Sequence, residues 1–376
     1  MANPTDWARA IATTIVHHTR EEEIAVFRKF KIFALLESSG NIIMNQSGRS
    51  FDWNIRYKNA PVTGNTGDTP RTFQRTNMWK RAELGWRGFV TSDSIFRREL
   101  LENRNQEALV NVASQMASRL QESLEQHLSF QPYVDGDDPA NSNSFHGLQS
   151  FTGYTETLDS SGTELAEGRN ALNNADKYFF PSDTYAGIST ELGYYGGGRK
   201  DSSTDQWPTA PCDPELDFYS PVLVNYSCGD FGGTTWADNC VAATREGIHQ
   251  CRRNDSKDAA IDMVVMDRSM YIDYLNKLDS KERAIITREN SLRSYGFSDV
   301  FEQDGVEITS EYACPTGKAF GLSIGNMELR CLENQLFVAE GPYFSEETQA
   351  YRYSCSTLGN MRFRTPRNFF MLDKVL

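Results

Sequence analysis

At 376 residues, with 39% apolar and 24% charged side chains, the chain lies well away from the low-hydrophobicity, high-charge corner of disordered sequences, and its length suits two or three lobes. Its formal net charge is −13 with no run of lysines and arginines, which excludes the basic stripe that a tight grip on phosphate backbones needs. Seven cysteines without a C-x-x-C spacing exclude a zinc ribbon and a legible disulfide framework, and nowhere do eighteen apolar residues run together as a membrane span requires.

The cysteines read as reduced thiols of a cytosolic protein, and the first twenty residues lack the basic start and long apolar run of a secretory signal. A helix start at Thr5-Asp6-Trp7 leads to a stretch where Val26, Phe27, Phe30, Phe33 and Ala34 recur at helical spacing until Ser38-Ser39-Gly40 stops it. Charged flanks, Glu21-Glu22-Glu23 and Arg28-Lys29, make residues 1–50 an amphipathic arm that can pack on this chain or on another.

The period then changes to two. Phe51, Trp53, Ile55 and Tyr57 alternate with Asp52, Asn54, Arg56 and Lys58, and Ala82, Leu84 and Trp86 alternate with Arg81, Glu83 and Arg87. Between these strands lies a polar stretch around Gly64-Asn65-Thr66-Gly67-Asp68-Thr69-Pro70, far longer than a tight hairpin turn. The pattern predicts a protruding ribbon over 51–92. Isolated two-stranded ribbons are marginal in water, so its apolar face is expected to need a partner surface.

From Asp93 to Phe130 the helical period returns: Leu109, Val112, Met116, Leu120, Leu124 and Leu128 mark one face, with Arg119, Glu122 and Glu125 off it and Asn103 and Gln106 as a capping pair. Residues 131–233 are rich in Gly, Asp, Ser, Asn and Pro, and their elements are mostly unreadable. A helix follows over Thr235–Arg253 on a Trp236, Cys240, Ala243, Gly247, Cys251 stripe, then a buried strand at 261–266 and a helix over Ser269–Leu278. Strand-like pieces close the chain: Gly305–Glu311, Ala319–Ile324, Glu328–Val338 and Asn360–Leu372.

Few residues suggest chemistry. Gly193-Tyr194-Tyr195-Gly196-Gly197-Gly198-Arg199-Lys200 has Arg where a phosphate-binding loop needs Lys and no buried strand leading in. Asp135, Asp137, Asp138 and Asn141 lack the calcium-loop register, and Pro139 intrudes. His249 and Cys251 diverge around one helix, as do His17 and His18, so neither pair forms a local site. No catalytic, cofactor or metal residues are expected. The hairpin aromatics Trp53, Trp79 and Trp86 can fill this chain's own core, but aromatics on an arm are favoured as interface anchors.

Several stretches resemble a known family. Ala82-Glu83-Leu84-Gly85-Trp86-Arg87-Gly88-Phe89-Val90-Thr91-Ser92-Asp93, running into Arg97-Arg98-Glu99-Leu100-Leu101-Glu102-Asn103-Arg104, is similar to the junction of hairpin arm and spine helix in tailed-bacteriophage major capsid proteins. Phe145-His146-Gly147-Leu148, Cys314-Pro315-Thr316-Gly317-Lys318-Ala319-Phe320-Gly321-Leu322 and the closing 359–368 stretch resemble later segments of the same proteins, in the same order along the chain.

That resemblance implies an α+β fold of the Hong Kong 97 type. It divides the chain into an N-terminal arm (1–50), an extended hairpin or E-loop (51–92), and a spine helix with the start of a peripheral domain (93–150). An axial α/β domain (151–322), with a surface insertion near 193–217, and closing peripheral strands (323–376) follow. It implies a non-enzymatic subunit assembling with itself, as pentamers and hexamers, into an icosahedral shell in the bacterial host cytoplasm. The shell would form the virion head and enclose double-stranded DNA without sequence-specific binding. A separate scaffolding protein, a portal and decoration or cement proteins are its implied partners. An encapsulin-like compartment shell or another virion part is the competing structural reading; a cytosolic hydrolase would need convergent His, Cys or carboxylates that the sequence does not display. Some shells of this family cross-link a hairpin lysine, for which Lys58 and Lys80 come into question. The intersubunit candidates are Trp53, Arg56, Tyr57, Lys58, Trp79, Lys80, Arg81, Trp86 and Arg87 on the hairpin, with Phe27 and Phe30 on the arm.

Overall fold

The computed structural model describes residues 31–62, 75–98, 106–154, 177–198, 200, 207–209, 211–252, 261–279, 300–333 and 335–374. Phe27, Phe30 and Asn103 lie outside them, as does most of the polar stretch at the hairpin tip. The fold is α+β, built on a five-stranded and a seven-stranded sheet.

The continuous apolar runs become strands buried along their whole length: β8 (Val222–Asn225), β9 (Met263–Met266), β12 (Ala319–Leu322) and β16 (Phe370–Asp373). Such runs arise where both faces of a sheet are covered. With β5 (Tyr178–Phe179), β10 (Val300–Gln303) and β11 (Val306–Ser310) they form the order β10-β11-β9-β12-β16-β8-β5. Helix α3 (Trp236–Cys251) buries the whole expected stripe, including Cys240, Ala243, Gly247 and Cys251. It shares an apolar cluster with helix α4 (Arg268–Asp279) and with Val222, Val224, Val264 and Met266 on one face of the sheet. Leu223, Met263, Val265 and Met371 turn the other way, into the core shared with the rest of the chain. Phe370 lies across Gly321, where an added Cβ would come within 2.0 Å of its ring, and against Gly247, where one would come within 2.7 Å. Both positions must be glycine for the helix and sheet to close on that ring. His249, as expected, stays exposed on α3 while Cys251 is buried.

The five-stranded sheet joins β1 (Ile42–Gln46), β13 (Met327–Leu332), β15 (Ala350–Phe363) and β14 (Val338–Ser345), with β4 (Arg87–Phe96) along β15 from Arg87↔Gly359 to Phe96↔Ala350. Helix α1 (Lys31–Ser38) buries Ile32, Phe33, Ala34, Leu35 and Leu36, and β1 pairs in parallel with β13. Residues 32–36 are thus buried in this chain's own core, with Ile42 and Met44 packed against it. Helix α2 (Gln106–Phe130) packs on β4 and β15 with Met116, Leu120, Leu124 and Leu128 buried, as the spacing requires.

Three expectations need correction. Residues 93–96 continue strand β4 instead of opening the helix, because ten consecutive pairings with β15 outweigh the weak local preference of Ser92-Asp93-Ser94. Strand β15 begins at Ala350, ten residues before the expected strand, since its alternation of small and polar residues reads as loop without its partners. Glu125 is buried rather than lying off the α2 face, with Gln121 and Ser129 beside it in the series, because α2 is covered more widely than its leucine stripe.

Candidate interaction surface at the ribbon

The period-two segments form strands β2 (Ser50–Arg56) and β3 (Trp79–Gly85), paired antiparallel in the register Phe51↔Leu84, Trp53↔Ala82 and Ile55↔Lys80. Opposite residues share a face, so Phe51, Trp53, Ile55, Lys80, Ala82 and Leu84 lie on one side. Asp52, Asn54, Arg56, Trp79, Arg81 and Glu83 lie on the other. The inner side is not waiting for a partner: Phe51, Ile55, Ala82 and Leu84 are buried by this chain itself. Here the structure corrects the expectation of an uncovered apolar face. Alternation reveals that one face is apolar but not what covers it, and the cover comes from Tyr185, Tyr195, Phe218, Arg330, Arg362 and Arg364, remote in sequence.

Part of that cover is a small hairpin, β6 (Thr184–Tyr185) and β7 (Ile188–Ser189), turned at Ala186 and Gly187 with φ of 52° and 76°. Two successive positive φ values are the geometry of a tight hairpin whose twist suits its strands. The turn presents the Ala186 carbonyl to the Glu83 N–H at 3.1 Å.

The nominated residues fall into two groups. Trp53 is half-buried, donates its indole N–H to the Arg364 carbonyl at 3.0 Å and stacks on Phe51. Trp86 donates to the Gly48 carbonyl at 2.9 Å. Tyr57 packs on Phe218, Lys58 pairs with Glu215 at 2.9 Å, and Lys80 lies over the rings of Tyr57 and Tyr195. Arg87 donates to the carbonyls of Gly136 and Ser144 at 2.7 and 2.6 Å. These six are engaged within the chain. Trp79, 53% exposed, stands with Arg56 and Arg81 on the outer side, where Arg81 pairs with the exposed Asp52 at 2.9 Å.

Beneath the ribbon lies a charged layer that single-segment reading missed. The buried Glu328 carboxylate accepts from Arg330 at 3.0 Å and from Arg362 at 2.5 Å, and Arg364 closes a third side. Burial alone would push the Glu328 carboxyl up; the three guanidiniums outweigh it and hold it below the usual range. The guanidinium of Arg330 lies 5.5 Å from the Phe51 ring centre and that of Arg362 5.5 Å from Trp53, so the inner aromatics rest on cations. A legible signal existed: Glu328 and Arg330 are two apart, as are Arg362 and Arg364, which is same-face spacing on strands.

A second polar cluster joins the ribbon's end to the 135–146 loop. Asn360 Oδ1 accepts from the backbone N–H groups of His146 and Met361, both at 2.9 Å. Its Nδ2 therefore donates, to the Gly85 carbonyl and to His146 Nδ1. The imidazole proton then sits on Nε2, 3.2 Å from Asp137. In the turn around Asp135, Asp137 and Asp138, the Asp135 carboxylate accepts from the Asp137 N–H and the Asp138 carboxylate from the Ala140 N–H, both at 2.9 Å, and no group of three or more His, Cys, Asp or Glu among the described residues is placed to hold a metal.

Facing this acidic turn, Asp183 accepts from the N–H groups of Thr184 and Gly153, yet burial first, and then repulsion from Asp135 and Asp137, pushes its carboxyl up to about 6. An acid whose folded pKa exceeds its unfolded value near ~4 loses stability as pH rises through that window. The loss is about 2 kcal/mol at neutral pH, allowing for partial exposure. Asp183→Asn should remove it: the variant's stability advantage over the wild type, followed by thermal unfolding, should grow between pH 4 and 6 and stay level above. A constant difference across that range would contradict the assignment.

No family model and no curated protein matches the chain. Its fold is shared with solved structures. It superimposes on a chain of the cyanophage A-1(L) capsid asymmetric unit with a TM-score of 0.51 at 12% identity, covering 89% of this chain and 90% of that one. A chain from the capsid of the native GTA particle gives 0.51 at 10% identity, covering 91% and 90%.

Proposed function

We propose that this chain is the major capsid subunit of a tailed bacteriophage, which assembles with copies of itself into an icosahedral shell around double-stranded DNA. The observation that carries this reading is a fold shared over about nine-tenths of both chains with two capsid structures. Fold similarity is an argument by analogy, and two features of this chain support it independently. Residues 51–92 contain seven Lys or Arg against three Asp or Glu, a net +4 that leaves −17 for the remainder, so the ribbon is a basic limb on an acidic body and complements a second copy. Its outer side also exposes Trp79 between Arg56 and Arg81, the residue types enriched at interface hot spots.

In this reading 1–50 is the arm, 51–92 the E-loop and 93–150 the spine helix with the start of the peripheral domain. Residues 151–322 are the axial domain, with 193–217 as an insertion, and 323–376 the closing peripheral strands. Pentamers and hexamers are the repeating units, each subunit contributing modest contacts that a closed shell multiplies. Trp79, Arg56 and Arg81 are its outward contacts, and a scaffolding protein, a portal and decoration proteins are its partners in the head. The acidic body repels packed DNA rather than trapping it. The role is structural, not catalytic.

Size-exclusion chromatography with electron microscopy of the purified chain tests this: closed shells of uniform diameter are expected, and a small soluble oligomer alone would overturn it. DNA inside particles taken from infected cells separates a phage head from a compartment shell.

A further inference from the structure

The glycine-rich stretch that begins at Gly193 forms one jaw of a clamp on the ribbon. Gly193 (φ 71°) donates to the Leu216 carbonyl at 2.9 Å, and Gly197 (φ 89°) approaches so closely that a Cβ would lie 2.8 Å from the Leu216 nitrogen. Both positions need glycine for the left-handed backbone, and Gly197 for the approach as well. The turn is thereby held flush against the helical turn Pro214–Asp217, and Tyr195 and Glu215 reach the ribbon together. Tyr195 is fixed in place: its hydroxyl accepts the Ser189 N–H at 3.0 Å and its ring packs edge-on against Tyr194.

Against this clamp the ribbon places a cation and an aromatic ring. Lys80 Nζ lies 4.6 Å from the Tyr195 ring centre and 5.3 Å from that of Tyr57. Tyr57 packs on Phe218 at 5.7 Å, and Lys58 pairs with Glu215. The ribbon's root differs, since Phe51 and Leu84 are sunk in the main core. Root and outer half are thus held by different partners: the main core and the Glu328–arginine layer at one end, and Tyr195, Phe218 and Glu215 at the other.

We propose that 193–198 and 211–218 form an intrachain latch, with Tyr195, Phe218 and Glu215 as its receptor and Lys80 and Lys58 as the cations it holds, which fixes the angle of the ribbon's outer half. Resting on the shell reading, its use is preorganisation: the Trp79 side is presented in one orientation, so less freedom is lost when a neighbour docks.

Hydrogen exchange on the full-length, unassembled chain tests the latch. Peptides covering 54–58 and 77–81 should exchange about tenfold faster in Tyr195→Ala and in Lys80→Met, and the double variant should be hardly faster than either. Exchange at 50–53 and 82–85 should not change, and Lys80→Arg should keep wild-type rates. Unchanged exchange in the single variants, or Lys80→Arg as fast as Lys80→Met, would overturn the proposal. The readout needs no shell, so a wild-type chain that exchanges as expected but forms no particles would count against the capsid reading and leave the latch standing.

Discussion

Glu328→Leu should destabilise the unassembled subunit by about 3–5 kcal/mol, because it removes the carboxylate that three guanidiniums share and leaves the buried Arg362 uncompensated. Urea unfolding should show a lower midpoint with little change in slope, the product of slope and midpoint shift giving that loss. The pH dependence carries its own sign. A carboxyl held below its ordinary pKa stabilises the fold above the unfolded pKa and loses that contribution as pH falls through the folded one. The wild type should therefore lose this contribution on acidification while the variant shows no such step. Adding Arg362→Met should recover much of the loss, since a buried pair exchanged for apolar groups is often near neutral. A Glu328→Leu protein as stable as the wild type would mean that the layer under Trp53 and Phe51 is not held by this carboxylate.

The second large effect is expected in assembly rather than stability. Trp79→Ala combined with Arg56→Ala and Arg81→Ala removes three of the ribbon's exposed outer side chains and touches none of its buried ones. The exposed Arg81–Asp52 pair is worth little, so unfolding of the subunit should move by no more than about 0.5 kcal/mol per site. Loss of a tryptophan anchor costs about 2 kcal/mol or more at an interface, which raises the subunit concentration needed for shells by roughly thirtyfold. Light scattering against concentration measures this. Shells forming at the wild-type threshold would remove Trp79, Arg56 and Arg81 from the contact.

What the sequence disclosed depended on whether a pattern is local. The α3 stripe from Trp236 to Cys251 and the 261–266 run are each a single local pattern; the helix forms where the stripe places it, and the strand occupies the last four residues of the run. Phe51-to-Tyr57 alternation likewise predicted strand β2. Strand β15 was half lost because Tyr351 to Leu358 is stabilised by β4 and β14 on its two sides rather than by its own propensity. The ribbon's cover failed for the same reason: Tyr185, Tyr195, Phe218 and Arg364 reach it from more than 100 residues away. Trp53 falls in the apolar phase of its strand with Phe51 and Ile55, and Trp79 in the polar phase with Arg81 and Glu83. The register, which sets Trp53 opposite Ala82 and Trp79 opposite Arg56, carries that difference into space, with the first over a guanidinium and the second in solvent.

A reconstruction of the assembled particle, detailed enough to trace the ribbon, tests the shell reading most directly. It should show another copy of the chain lying against Trp79, Arg56 and Arg81, with Lys80 still seated between Tyr57 and Tyr195 of its own subunit. A closed particle whose ribbons leave Trp79 facing solvent, or a preparation that yields no closed particles, would contradict it.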